Sequence, residues 1–336
     1  MLYKLCGFVL ESNIPLPELP HADGKEPEWA FQLLPAQDAE CVSVQWFHHW
    51  RSPTGEIWLS FAKQGSSYLL RFPELADFIV CAYDKQLCCY PELGTPLETI
   101  RHLLLDQVIP VVLATLGKLV LHASAVVTPE GAIAFMGISG WGKSSLTASF
   151  TQQGFPLLTD DCLVVEEKGE EIFGIPSYPG LRLWDDVVSA LFEHEQGLSD
   201  VAHYTDKKRL GLNGSNNSQL RFCTDSVPLR RMYILTPPDS VGDTKAINIT
   251  PISSQEVFIE LVSYAYKLDI TDRERLREEF DCLGRVAARP LFYRLAFPRD
   301  FSLLPAVRES ILQNLSERST APGKMRRVED SLWSKA

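Results

Sequence analysis

The chain has 336 residues, 45% of them hydrophobic and 22% charged, an average globular composition with room for one large domain or two ordinary ones. A net charge of −11 excludes the basic surface that non-specific nucleic-acid binding requires, and no run of about 18 apolar residues stands out as a membrane span. The opening Met1-Leu2-Tyr3-Lys4-Leu5-Cys6-Gly7 lacks the apolar core and small-residue cleavage site of a signal peptide, so a cytoplasmic location is expected. The eight cysteines, without a CxxC pair or zinc-like spacing, then read as reduced structural thiols. An acidic body would steer basic peptides towards it.

Residues 1–94 read as a β-rich N-terminal domain. Leu2–Leu10 is a short β-like run, and the three prolines between Asn13 and Pro20 exclude a helix there. Ile57–Phe61, Tyr68–Phe72 and Phe78–Tyr83 are aromatic and β-branched, with turns at Pro53-Thr54-Gly55 and Gly65-Ser66-Ser67. The expectation is an antiparallel sheet, with Cys88 and Cys89 on opposite faces of a strand.

Residues 95–317 read as an α/β domain. Thr95, Pro96 and Glu98 suggest a capping box opening a helix that Pro110 should kink and Gly117 should end. Lys118–Val127 and Ala132–Met136 read as strands around the turn Pro129-Glu130-Gly131. A glycine-rich loop, a helix to about Gly154 and a strand over Phe155–Thr159 follow. Two strands flank Glu167–Glu170, and the polar stretch Asp206–Ser226 reads as a surface loop. Leu229–Thr236 is a strand. Helices are expected near 252–267 and 271–286, the second with a capping box in Thr271 and Glu274, then a strand over Leu291–Phe297 and a helix to about 316. Residues 318–336 read as a disordered tail.

The chemistry concentrates in Gly137-Ile138-Ser139-Gly140-Trp141-Gly142-Lys143-Ser144, which matches G-x-x-x-x-G-K-[ST] in full. Its glycines let backbone N–H groups converge on phosphate oxygens, and the following helix adds its positive N-terminal end. Lys143 would reach the β- and γ-phosphates of ATP, and the Ser144 hydroxyl would hold Mg²⁺. The expected nucleotide contacts are Gly137, Ser139, Gly140, Trp141, Gly142, Lys143, Ser144 and Ser145.

Asp160-Asp161 follows Phe155–Thr159, placing two carboxylates at the end of a strand expected to lie beside the loop strand, where open α/β sheets bind ligands. One carboxylate would orient Mg²⁺ or its waters and the other would take the proton of an attacking hydroxyl. His122 by itself reads as an ordinary strand histidine. Arg182 and the Lys207-Lys208-Arg209 run are cations that would clamp phosphate or substrate, Lys207 and Arg209 foremost. An equally simple reading of such a charge run is a solvated face.

Together His122, the loop 137–144 and Asp160-Asp161 resemble, in order and spacing, the HPr kinase/phosphorylase family over residues 118–166. The resemblance implies a serine kinase with the fold that family shares with phosphoenolpyruvate carboxykinases. It implies that Lys143 and Ser144 handle phosphate and metal with Asp160, that Asp161 is the general base, and that His122 supports that base or contacts the γ-phosphate. The family's Glu-x-Arg-Gly segment has no counterpart in Pro176–Trp184, so the reverse phosphorylase reaction and HPr as acceptor are not carried over. Asn13–Pro17, and the stretch from Leu105-Asp106-Gln107-Val108 to Leu121-His122-Ala123, resemble HPr-kinase-like proteins found beside peptide-modifying genes. Some of those phosphorylate a lasso-class precursor peptide on serine. The acceptor implied is a serine of a peptide or small protein. The rivals are a kinase of a free small molecule, such as an amino acid, a non-enzymatic ATP switch and, third, a simple NTPase. Family members can form closed oligomers, which leaves a homo-oligomer open.

Overall fold

The computed structural model describes all residues except 37–43, 53, 193–197, 212–220, 241–245, 268 and 318–336. The expected tail, Cys41 and the Asn213–Ser218 part of the polar stretch lie outside the described residues.

The first eight strands are β1 (Leu2–Leu5), β2 (Phe8–Ser12), β3 (Trp29–Leu33), β4 (Trp46–Arg51), β5 (Ile57–Gln64), β6 (Ser67–Phe72), β7 (Ala76–Cys81) and β8 (Gln86–Pro91). They form one sheet in the order β1-β2-β3-β8-β7-β6-β5-β4. It is mixed, not antiparallel as expected, because β3 runs parallel to both β2 and β8. The proline-rich connection after β2 returns the chain to the start of the sheet, as a parallel neighbour requires. Cys89 is fully buried and Cys88 half-buried, as opposite strand faces demand.

The linking helix is α1 (Leu97–Leu103), a π-helical turn (Leu104–Val108) and α2 (Ile109–Thr115). The expected capping box does not form: extended Pro96 is the N-cap without a side-chain bond, and Thr95 Oγ1 donates to Leu75 O instead. Pro110 lies at the start of α2, directly after the widened turn. Proline has no N–H to give the preceding turn and its ring crowds that turn's carbonyl, which accounts for the widened turn directly before it. Gly117 closes the helix with φ +75°. The apolar face of this helix packs with β1–β8 into one core that continues to Val120, Cys162 and Tyr178.

The expected strand over Lys118–Val127 is broken at His122 into β9 (Leu119–Leu121) and β10 (Ala123–Thr128). The rest comprises β11 (Gly131–Met136), α3 (Lys143–Thr151), β12 (Leu157–Thr159), β13 (Leu163–Lys168), β14 (Glu171–Ile175), β15 (Gly180–Leu183) and α4 (Asp185–Leu191). There follow β16 (Leu198–Ala202), β17 (Thr205–Gly211), β18 (Val227–Leu235), β19 (Asn248–Pro251), α5 (Ser254–Tyr264), α6 (Arg273–Ala287), β20 (Phe292–Ala296) and α7 (Leu304–Ser316). One sheet runs β12-β10-β11-β18-β14-β13-β9, with β20 also on β18 and β19 on β20. Alternate residues of β11 and β18 face opposite layers. Ala134, Met136, Met232 and Ile234 pack with Val257 and Leu261 of α5 and Leu283 of α6. Ile133, Phe135, Tyr233 and Leu235 pack with Leu146 and Phe150 of α3 and Ile311 of α7. The protein is thus mixed α/β, with helices on both faces of its second sheet.

Two further expectations change. The expected loop from Asp206 begins instead as β17, paired to β15 and β16, so Lys207-Lys208-Arg209 lies on a strand. The N-cap of α6 is Asp272, accepting from Arg275 N, and the capping box sits on α5 as Ser253 with Glu256.

Candidate active site

The loop 137–144 joins β11 to α3, so the strand–loop–helix context expected of a phosphate-binding loop is present. Gly140 and Gly142 take φ +86° and +97°, left-handed values that glycine reaches without strain. At Gly137 close packing decides: an added Cβ would meet Trp141 at 3.1 Å and Leu235 at 3.3 Å. Trp141 itself packs against the core beneath α3.

Lys143 is buried, its Nζ donating to Gly137 O at 2.8 Å and to His122 Nε2 at 3.0 Å. Burial pulls its ammonium below the ordinary range, opposed by Asp161 and Asp160. Burial, with the charges of Lys143, Arg182 and Lys207, pushes His122 down to about 4 against the pull of Asp161. A neutral ring accepting from Lys143 at Nε2 carries its proton on Nδ1, which faces the Tyr266 hydroxyl at 3.4 Å. His122 occupies the break between β9 and β10, where its backbone N–H donates to Tyr264 O beyond the sheet.

Asp160 and Asp161 follow β12. That strand pairs with β10, which therefore lies between it and the loop strand, not directly beside it as expected. The two acids divide sharply. Asp160 is buried: Oδ1 accepts from Ser124 at 2.6 Å and from Ser144 at 3.0 Å, while Oδ2 accepts from Arg182 N at 2.9 Å. Burial and the neighbouring charge of Asp161 raise its proton affinity. Asp161 adopts φ +63°, an uncommon conformation for a side-chain-bearing residue that turns its carboxylate into the cavity beside the loop. Burial would raise Asp161 too, but Arg182, then His122, Lys143 and Lys207, outweigh it and hold the carboxyl well below the usual range. Arg182 Nη2 lies 3.4 Å from Asp161 Oδ2, and His122 Nε2 3.9 Å from Asp161 Oδ1.

A cavity of about 230 Å³ collects Lys143, Asp161 and Arg182, with His122 and the buried Asp160 behind its lining. Ser139, Gly140, Gly142, Lys143, Ser144 and Ser145 line it with Asp161, Arg182 and Lys207, and Phe297, Phe301 and Leu304 add an apolar end. Lys207 Nζ sits 5.3 Å from the centroid of Trp184, which also lines the cavity. Arg209 is turned elsewhere: it is buried and its Nη1 donates to Glu18 Oε1 at 2.8 Å.

Several contributors were missed from sequence. Arg299 lines the cavity, Ser124 anchors Asp160, and Asp106 holds Arg182 by an ion pair to Nη1. Asp106 also takes Tyr178 OH at 2.5 Å and His102 Nδ1 at 2.6 Å. A lone acid inside the apolar run 103–113 was the available signal, since a buried charge needs a partner.

No family model matches this sequence, and no curated protein matches it. The solved structures that match include the HPr(Ser) kinase/phosphatase from Coxiella burnetii, at 13% identity and a TM-score of 0.32, with 60% of this chain and 99% of that chain covered. A likeness that weak carries no argument, so the reading below rests on the site.

Proposed function

We propose that the chain is an ATP- and Mg²⁺-dependent phosphotransferase that places the γ-phosphate on a serine hydroxyl of a peptide or small protein. One observation carries this reading: a complete phosphate-binding loop whose Ser144 shares a buried carboxylate, Asp160, while a second carboxylate, Asp161, is turned into the same cavity.

The donor set suits the nucleotide and its metal. Loop N–H groups, Lys143, Arg182 and Lys207 offer positive charge to phosphates, and the apolar end at Phe297 and Leu304 offers a surface for a base. Among the described residues no group of three His, Cys, Asp or Glu side chains could hold a metal. Ser144 with Asp160 matches an ion that keeps waters and binds through one or two protein oxygens plus phosphate. Mg²⁺ there would neutralise charge developing on the phosphate oxygens.

Asp161 is the base in this scheme. The serine hydroxyl gives its proton to Asp161 as its oxygen bonds the γ-phosphorus, and the bond to the bridging oxygen breaks with ADP as leaving group. Phosphate held by Lys143 and Arg182 would occupy the same cations that depress Asp161, raising its proton affinity as the reaction needs. His122, accepting from Lys143, keeps that ammonium in place.

The test is incubation with γ-labelled ATP, Mg²⁺ and HPr, serine peptides or free serine, using wild type and Asp161→Asn. Label on a peptide or HPr from wild type alone supports the reading. Label on free serine alone would make it a small-molecule kinase. ATP binding with no transfer to any acceptor would make it a switch.

A further inference from the structure

A second opening lies across His122 from the phosphate cavity. It is a groove of about 450 Å³ lined by His48 and Trp50 of β4, by Ser263, Tyr266 and Ile270 at and beyond the end of α5, and by His122. Ser139 of the loop lines both openings. Between them stand His122, which lines the groove, and Asp161, which lines the phosphate cavity, 3.9 Å apart.

We propose that the groove seats the acceptor as an extended peptide along β4, its serine directed between His122 and Asp161; this rests on the phosphotransferase reading above. Three observations converge. An in-line displacement brings acceptor and leaving group to opposite sides of the phosphorus, and the two openings approach each other at Asp161, which would take the serine proton, with His122 3.9 Å from it. β4 is the terminal strand of its sheet and among the described residues pairs with β5 alone, so one row of backbone N–H and C=O groups is available to an added strand. The lining sets Trp50, Tyr264, Tyr266 and Ile270 beside the two histidines, with Trp50 and Tyr266 rings 6.3 Å apart and Ile270 exposed.

Charge narrows the class further. The groove lining holds no carboxylate, and its one ammonium, Lys267, lies 3.8 Å from Glu279 Oε1. Its local character therefore favours peptides with neutral or acidic residues around the serine, against the basic ones that the net charge of −11 would attract at long range.

The experiment uses the full chain and randomised heptapeptides with a central serine, in sets with neutral, acidic or basic flanks, each carrying a photoreactive benzoylphenylalanine. After irradiation, mass spectrometry should place adducts from the neutral and acidic sets on β4 or on 263–270. Ser263→Arg and Ile270→Arg, both at exposed positions, should cut these adducts and peptide kcat/KM by about tenfold or more, with the KM for ATP within about twofold. Adducts scattered over the surface, wild-type turnover in both variants, a preference for the basic set, or suppression by free serine would overturn the proposal. Groove adducts without phosphate on any set would sink the phosphotransferase reading and leave the groove as a peptide site.

Discussion

Arg182 joins Asp106 of the linking helix to Asp161 of the cavity, with Nη1 paired to Asp106 Oδ1 and Nη2 lying 3.4 Å from Asp161 Oδ2. The same guanidinium donates through Nη2 to Asp160 O at 2.6 Å. Arg209, 3.9 Å from Asp106, extends the chain of charges to Glu18, which Arg101 also reaches at 2.8 Å. The site is therefore held from the side of the N-terminal sheet by buried charges, and its geometry depends on residues far from the loop.

Removing one member of such a buried pair leaves the other uncompensated, which costs about 3–5 kcal/mol. Asp106→Ala should lose about that much in urea denaturation, and the more conservative Asp106→Asn less. The charge of Arg182 holds Asp106 well below its ordinary 3.8 despite burial. Its contribution is thus present above that pH and is lost as pH falls further, so the stability difference between wild type and Asp106→Asn should shrink in acid. A difference independent of pH would remove Asp106 from the charge network.

Asp161→Asn keeps the side chain's shape and removes its ability to take a proton. Transfer should fall by about 10²–10⁴, the usual worth of a positioned general base. ATP affinity should stay near wild type, read by isothermal titration. Substantial residual transfer would take the base role from Asp161.

Lys143→Ala should act on binding and turnover together, because the ammonium is the cation seated inside the loop. Loss of a charged hydrogen bond to phosphate is worth about 1.5–3 kcal/mol, or roughly ten- to hundredfold in Kd. A fluorescent ATP analogue would read the change. Unchanged affinity would mean that the loop does not hold phosphate through Lys143.

The loop was legible because its motif occupies eight contiguous positions between a strand and a helix, and Asp160-Asp161 because a strand end and two acids are local features. Other parts were hidden for physical reasons. Residues on both sides of His122 are apolar, so nothing local marks the point where β9 and β10 part to different neighbours. Lys207-Lys208-Arg209 lacks a strand's alternation because Glu18 and Asp200 supply charge partners from other segments. Asp106, Ser124 and Arg299 meet the site only through topology. Asp160 and Asp161 look equivalent in sequence and differ in the fold because one backbone turn at φ +63° sends the second carboxylate the other way.

His122 gives a pH signature that separates its role from mere packing. Burial and three cations push it down to about 4, below its ordinary 6.5, so the folded chain binds fewer protons than the unfolded chain between those values. Stability then rises with pH across that window, and the contribution of neutral His122 is lost as pH falls through it. The ring's Cε1–H resonance should therefore stay at its neutral position at pH 5.5, where an unperturbed histidine is mostly protonated. In thermal melts the advantage of wild type over His122→Gln should shrink from pH 6.5 towards pH 4. A phosphate analogue that draws Lys143 and Arg182 away should let the His122 midpoint rise, since two of the charges opposing protonation would then be neutralised. A midpoint near 6.5 in the free protein would show that Lys143 does not donate to His122, and would detach the histidine from the loop.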